Sequence, residues 1–145
     1  MASRNTHQRR VVEEQLRALD CHPTADRVYE AVRSVCPGVG KATVYRSLNR
    51  MVEEGSAQRV RVNNGPDCFD CRTHPHYHIR CTRCGRVDDV DVPFDSGLEE
   101  AASATGYIVT GHVLQFDGVC PACAAEDGGI SPRSRLSRRR GAPSR

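Results

Sequence analysis

Two Cys-x-x-Cys pairs, Cys81/Cys84 and Cys120/Cys123, are the residues of this chain whose type and spacing speak most directly of chemistry. One such turn presents two thiolates at the separation a tetrahedral, thiophilic ion needs. Two turns close a four-sulfur shell with no open position, which describes a structural zinc site. Between Cys84 and Cys120 lie 35 residues, more than a zinc ribbon uses, so the intervening chain must fold back on itself to unite the knuckles. A thioredoxin-like redox site uses one such pair in a βαβ setting. Inert packing thiols would not come as two spaced pairs, and a zinc deaminase needs a His-x-Glu partner that the chain lacks.

A second set of candidates is rich in nitrogen and oxygen: His22, His74, His76, His78 and His112, with Asp70 and Asp89. His76 and His78 alternate, so in a strand both rings point to one face. Imidazole with carboxylate suits Fe(II), Mn(II) or Zn(II) better than a thiolate cage does. A lone histidine is more commonly a hydrogen-bonded surface group, and the His-x-His pair beside a knuckle tilts the balance toward metal. Cys68 and Cys71 flank Asp70 in a CFDC stretch. They read as buried spare thiols, or as oxidisable groups or alternative ligands.

Composition bounds the scaffold. At 145 residues with 5% aromatic content and no Trp, the chain has room for one compact unit or two small aliphatic lobes, each marginal without extra support. The N-terminal stretch is polar and basic without an apolar core, so no signal peptide is expected. No run of about 18 apolar residues is present to span a membrane, and the expected location is the cytoplasm, where thiols stay reduced. Of the net charge of +3, residues 126–145 carry six Arg against Glu126 and Asp127, a net +4, which leaves −1 on the preceding 125 residues. That Gly/Ser/Pro/Arg-rich tail is expected to be disordered, either solubilising or adding non-specific attraction to DNA.

The elements that must position these groups follow from periodicity. Thr6 can cap a helix to about Leu19, with Val12, Leu16 and Leu19 on one face. Pro23 and Thr24 open a second helix, in which Val28, Ala31, Val32 and Val35 keep the helical period. Pro37 and Gly38 break it. A third helix, from about Lys41 to Glu54, buries Val44, Leu48, Met51 and Val52, and Gly55 ends it. Residues 57–62 alternate as a strand, Asn63–Gly65 turn, and Asp67–Cys71 pair back. Three short helices and a hairpin are the order of a winged helix, whose third helix reads the major groove. Its polar face carries Lys41, Thr43, Tyr45, Arg46, Asn49 and Arg50, suited to phosphate and base contacts, although a polar face can also be merely solvated. Beyond His76, two strands surround the first knuckle. A helix over Asp95–Thr105 follows, and Tyr107–Asp117 reads as a long antiparallel strand running into the second knuckle. The fold class is α+β: a winged helix over 1–72, a small lobe over 76–125 suited to packing on its own copy, and the basic tail over 126–145.

The stretches HPTADRVYEAV, GKATVYRSLNRMVEEG, HYHIRCTRCGRVDDV and GHVLQFDGVCPAC, in this order and spacing, resemble the ferric uptake regulator (Fur) family over roughly residues 6–124. The resemblance implies a homodimeric, metal-dependent transcription factor, not an enzyme, that binds a palindromic double-stranded operator as a repressor. It also implies a regulatory site at the hinge, with ligand positions falling on His22, Asp70, His76, His78 and Asp89. Three His and two Asp resemble the peroxide-sensing (PerR-like) branch, in which Fe(II) or Mn(II) occupies that site and His22 and His76 match the oxidation-prone positions. Iron sensors more often carry Glu where Asp70 stands. An additional family site meets Pro75, Tyr77 and Ser96 here, which leaves His112 as a structural or supporting residue. Arg46 stands where some peroxide sensors carry Asn. The alternatives are an iron, manganese or zinc uptake regulator without peroxide sensing and, more remotely, a zinc-containing thiol redox protein using Cys68 and Cys71.

Overall fold

The computed structural model describes residues 4–126 and 128; the remainder of the basic tail lies outside the described residues. Three helices come first: α1 (Arg4–Ala18), α2 (Ala25–Val35) and α3 (Lys41–Glu53). Thr6 lies inside α1 rather than capping it, and Leu19 packs against the core from beyond the helix end. Thr24 caps α2, its Oγ1 accepting the Arg27 N–H at 3.2 Å. Val12, Val28, Val32, Val44, Leu48 and Met51 are completely buried where the three helices meet. Truncating Leu48 or Met51 to Ala typically costs about 2–5 kcal/mol. Val35, expected to share this core, is 59% exposed. The chain turns directly after it, and Val39 enters the core in its place. Gly55 ends the third helix at φ +75°, a left-handed conformation that costs other L-residues about 1–2 kcal/mol.

Strands β1 (Gln58–Val60) and β2 (Cys68–Asp70) form the antiparallel wing, shorter than the alternation suggested, with Asn64 left-handed in the connecting turn. Phe69 and Ala57 close the helical core from the wing side. Lobe two is a three-stranded sheet of β3 (Tyr77–Cys81), β4 (Val87–Val90) and β5 (Gln115–Gly118), with β3 central. The short helices α4 (Gly97–Ser103) and α5 (Pro121–Glu126) bury no residue completely.

Here the structure corrects the expectation of a long antiparallel strand. Only Gln115–Gly118 is a strand, and it runs parallel to β3, with Cys81 opposite Gly118. The connection from β4 through α4 crosses over to the far edge of β3, where β5 runs parallel to β3 and opposite in direction to β4. Tyr107, Ile108 and Val113 are 77%, 93% and 91% exposed, because among the described residues no strand lies alongside them.

The lobes meet through a small cluster of Val60, Cys68 and Val87. Two backbone bonds tie the segment between α1 and α2 to both sides: His22 N–H to the Val87 carbonyl (3.1 Å) and Phe69 N–H to the Pro23 carbonyl (2.9 Å). That segment carries His22 into the hinge. Among the described residues no helix is long and apolar enough to cross a membrane.

Candidate metal centres and reading helix

The parallel register resolves the long gap between the knuckles. With Gly118 opposite Cys81, the chain needs only two more residues to place Cys120 at the first turn. The ligand atoms of Cys81, Cys84, Cys120 and Cys123 all lie within 4.8 Å of one another. Gly85 takes φ +77° to complete the first knuckle. Backbone donors already face sulfur, from Cys120 N–H to Cys81 Sγ (3.3 Å) and from Cys123 N–H to Cys120 Sγ (3.5 Å). Burial opposes ionisation of Cys81, yet N–H groups of Cys84, Cys120 and Arg83 draw it down to about 6. The bond to Cys120, with burial added, pushes Cys123 up to about 12. One thiolate therefore forms readily and its charge holds the proton on a neighbour. Four thiolates coexist only around a cation, the donor set of structural zinc.

The second cluster gathers its ligands from four places in the chain. His22 comes from the α1–α2 segment, Asp70 from the wing, His76 and His78 from β3 and its approach, and Asp89 from β4. One ligand atom from each lies within 4.8 Å of all the others. Asp89 Oδ1 is 2.6 Å from His22 Nε2 and 2.9 Å from His76 Nε2, while Asp70 Oδ2 is 3.0 Å from His76 Nε2. The His78 ring packs edge-on against both His22 and His76, at 5.0 and 4.4 Å.

The protons decide what this cluster can do. His76 Nδ1 lies 2.7 Å from the His74 carbonyl, and because a carbonyl only accepts, the proton of neutral His76 sits on Nδ1. Its Nε2 then points a lone pair at the oxygens of Asp70 and Asp89. Despite those short distances, neither His76 Nε2 nor His78 Nε2 has hydrogen-bond geometry, and both are buried. The unprotonated His76 nitrogen facing carboxylate oxygens at about 3 Å is repelled unless a second ring proton or a metal cation lies between them. A hard-to-borderline divalent ion fits this donor set, and the outward Nδ1 bond is the supporting contact usual for a ligating histidine. Burial alone would push the Asp70 carboxyl up. The nearby His78 ring, the Arg72 backbone N–H and Gln58 outweigh it and hold Asp70 well below the usual carboxylate range. Asp89 is lowered against burial in the same way, through His22 and Arg72.

Two neighbours, Gln58 and Arg72, had no signature in residue spacing. Gln58 donates to Asp70 Oδ2 at 3.0 Å, and Arg72 holds Asp70 through its backbone and Asp89 through its side chain. His74 stands outside the cluster, accepting from Arg72 Nε at 2.7 Å. A cation between Asp70 and His76 was the one hint available. A cavity of about 270 Å³ opens onto His22, Asp70 and Asp89 beside the end of α1. His112 belongs to neither cluster. Stacked on Phe94, it accepts from Tyr77 and pairs with Glu99, a supporting role as expected. Cys68 and Cys71 point to different places, Cys68 into the small inter-lobe cluster and Cys71 against the helical core. Burial pushes Cys68 up to about 11 and raises Cys71 as well, properties of packing thiols rather than nucleophiles.

On α3, Thr43, Arg46, Asn49 and Arg50 line one groove of about 880 Å³ with the start of α1. Lys41 and Tyr45 lie together elsewhere, both bonded to Asp26 Oδ1, at 2.7 and 2.8 Å. Asn49 accepts from Arg59 of the wing at 2.5 Å, and Arg50 pairs with Glu54. Arg46 donates to the Thr43 hydroxyl at 3.2 Å.

A winged helix joined to a small sheet lobe, with one sulfur cage and one His/Asp cluster at the hinge, defines a two-lobed protein of metal-responsive type. Its relatives give the family. The ferric uptake regulator family model matches residues 1–117, ending just short of the second knuckle. The peroxide operon regulator of Bacillus subtilis (strain 168) is 36% identical over 128 residues, covering 86% of each chain. Among solved structures, the Campylobacter jejuni peroxide stress regulator is 28% identical with a TM-score of 0.62, over 82% of this chain and 90% of that one. A zinc uptake regulator complexed with zinc and DNA is 25% identical with a TM-score of 0.64, over 86% of both chains. The chain belongs to the ferric uptake regulator family.

Proposed function

We propose that this protein is a homodimeric, metal-dependent DNA-binding repressor that responds to peroxide. The observation that carries the reading is the hinge cluster: two buried imidazole nitrogens without a hydrogen bond and two carboxylates, drawn from both lobes and close enough for one divalent cation to join them. In this reading residues 1–72 bind DNA, 76–125 dimerise, and Cys81, Cys84, Cys120 and Cys123 hold zinc that frames the second lobe. The exposed apolar stretch Tyr107–Val113 supports a second copy as its cover. His22, Asp70, His76, His78 and Asp89 hold the regulatory Fe(II) or Mn(II). His22 moves with the helices, Asp70 with the wing, and the other three with the sheet. Holding all five fixes the angle between the lobes, and in a symmetric dimer the spacing of two α3 helices. Losing the ion lowers the population of the competent orientation, and operator affinity falls by linkage.

Fe(II) held by His22, Asp70, His76, His78 and Asp89 would supply the electrons for peroxide cleavage. The cavity beside His22 and Asp89 admits a small oxidant. The relatives named for peroxide responses support this branch over a plain metal sensor. After Fe(II)-loaded protein is exposed to peroxide, peptide mass spectrometry should find a one-oxygen gain on His22 or His76. Unmodified histidines with oxidised cysteines would favour a metal sensor without peroxide chemistry.

Lys41, Thr43, Tyr45, Arg46, Asn49 and Arg50 form the DNA-reading face in this proposal. Among the described residues Arg46 has no carboxylate partner to leave, which suits it to a base edge, whereas Lys41 must exchange Asp26 for phosphate. Arg46→Ala should relax base preference at a cost of about 1–3 kcal/mol on the specific site. Lys41→Ala should weaken all sequences alike and lower the salt slope by about 1. Operator titrations at several salt concentrations separate the two.

A further inference from the structure

The two oxygens of Asp89 are divided in their duties. Oδ1 faces the imidazoles, 2.6 Å from His22 Nε2, 2.9 Å from His76 Nε2 and 3.7 Å from His78 Nε2. Oδ2 turns away and accepts from the Arg72 guanidinium at 2.9 Å. Arg72 is not a loosely placed surface cation. Its Nε donates to His74 Nε2 at 2.7 Å, its backbone N–H donates to Asp70 Oδ1 at 2.7 Å, and its carbonyl accepts from Gln58 at 2.6 Å. His74, which stops the guanidinium from swinging out, is the residue whose carbonyl sets the His76 proton. One residue therefore orients both carboxylates of the cluster and shares a neighbour with one of its histidines.

We propose that Arg72 is a positioning residue that makes Asp89 a one-oxygen ligand and so biases the hinge site against cations that prefer oxygen-rich shells. The inference rests on the hinge cluster being a metal site, as proposed above. With Oδ2 committed to the guanidinium, Asp89 offers only Oδ1, and the cluster presents three nitrogens and two oxygens. Without the guanidinium, Asp89 is free to turn and offer both oxygens. A more oxygen-rich, higher-coordinate shell gains more for Mn(II) than for Zn(II), which is content with fewer ligands and with nitrogen. Loss of the positive charge strengthens binding of every divalent cation alike, so the two effects separate in the ratio of affinities.

The test uses the full-length protein carrying one equivalent of zinc, titrated with Co(II), Mn(II) and further Zn(II), in wild type, Arg72→Leu and Arg72→Lys. Lysine keeps the charge but lacks the planar fork that engages Asp89 and His74 together. Both variants should raise Mn(II) affinity relative to Zn(II) by about tenfold, the lower end of what outer contacts contribute at metal sites. Visible absorption of Co(II) bound at the hinge should weaken in both, the sign of a higher coordination number. If Arg72→Lys keeps the wild-type ratio and spectrum, or if Arg72→Leu strengthens all three ions equally, charge alone is at work and the proposal is overturned. If wild-type protein takes up no second ion at all, the metal reading of the hinge fails, and this inference with it.

Discussion

Cys81→Ser is expected to abolish zinc retention and unfold the second lobe, leaving the three-helix core intact. The lobe has little else to hold it. Its completely or nearly buried side chains are few, chiefly Tyr77, Cys81 and Val87, and neither α4 nor α5 buries a residue. Structural zinc supplies about 10–16 kcal/mol in small domains at neutral pH, more than the net stability of most domains. The parallel strand β5 carries the second knuckle in register with the first, so losing the ion frees β5 as well. Metal analysis should find less than one zinc per chain, and amide exchange should accelerate over 77–118 while Val28, Leu48 and Met51 in the helical core stay protected. Because the lobe also carries His76, His78 and Asp89, metal-dependent operator binding should disappear with it. A Cys81→Ser protein that stays folded and zinc-loaded would remove the sulfur cage from the account.

The second large effect is at the hinge. Asp70→Asn keeps the shape of the side chain but takes away the anionic oxygen, buried to 5% exposure, that the wing contributes. Affinity for the regulatory ion should drop by more than about a hundredfold, beyond what a supporting contact contributes. Operator binding should cease to respond to metal while the residual metal-independent binding stays. Fluorescence-monitored titration of metal, then of operator, reads both.

The same variant has a pH signature. Folding depresses the Asp70 carboxyl below its ordinary value, so the ionised group stabilises the metal-free fold at neutral pH. That contribution is complete above the ordinary carboxylate range, near 4, and is lost as the pH falls toward the lower folded value. Asp70→Asn lacks it throughout. The stability difference between the two proteins should therefore be largest at neutral pH and shrink below about pH 4. A gap that widens in acid would contradict the hydrogen-bond assignment.

Much of this molecule is legible in its sequence, and the reason differs from feature to feature. The cysteine cage was readable because a knuckle is a local turn: two thiols three residues apart must lie close wherever the turn is placed. The faces of α2 and α3 were readable because the helical period stacks Val28 with Val32 and Val44 with Leu48 and Met51. The Thr24 cap and the stop at Gly55 are equally local, each a single residue acting on its own backbone. His22, Asp70, His76, His78 and Asp89 could be grouped only through resemblance to a family, since the first and the last lie 67 positions apart and no period connects them.

What tertiary structure alone decided is non-local. Alternation in Tyr107–Asp117 marks residues able to form a strand, but which strand lies beside them depends on the route of the connection. That route made Gln115–Gly118 parallel to β3 and left Tyr107–Val113 bare. Val35 kept the helical period and still lost its place, because the chain turned and Val39 filled it. Arg72 carries no periodic or motif signal, yet it joins Asp70 to Asp89 across the hinge. Sequence determined which residues have the chemistry to hold metal and the local elements that present them. The fold decided which carboxylate oxygens face the imidazoles, because that depends on hydrogen bonds between segments that only tertiary packing brings together.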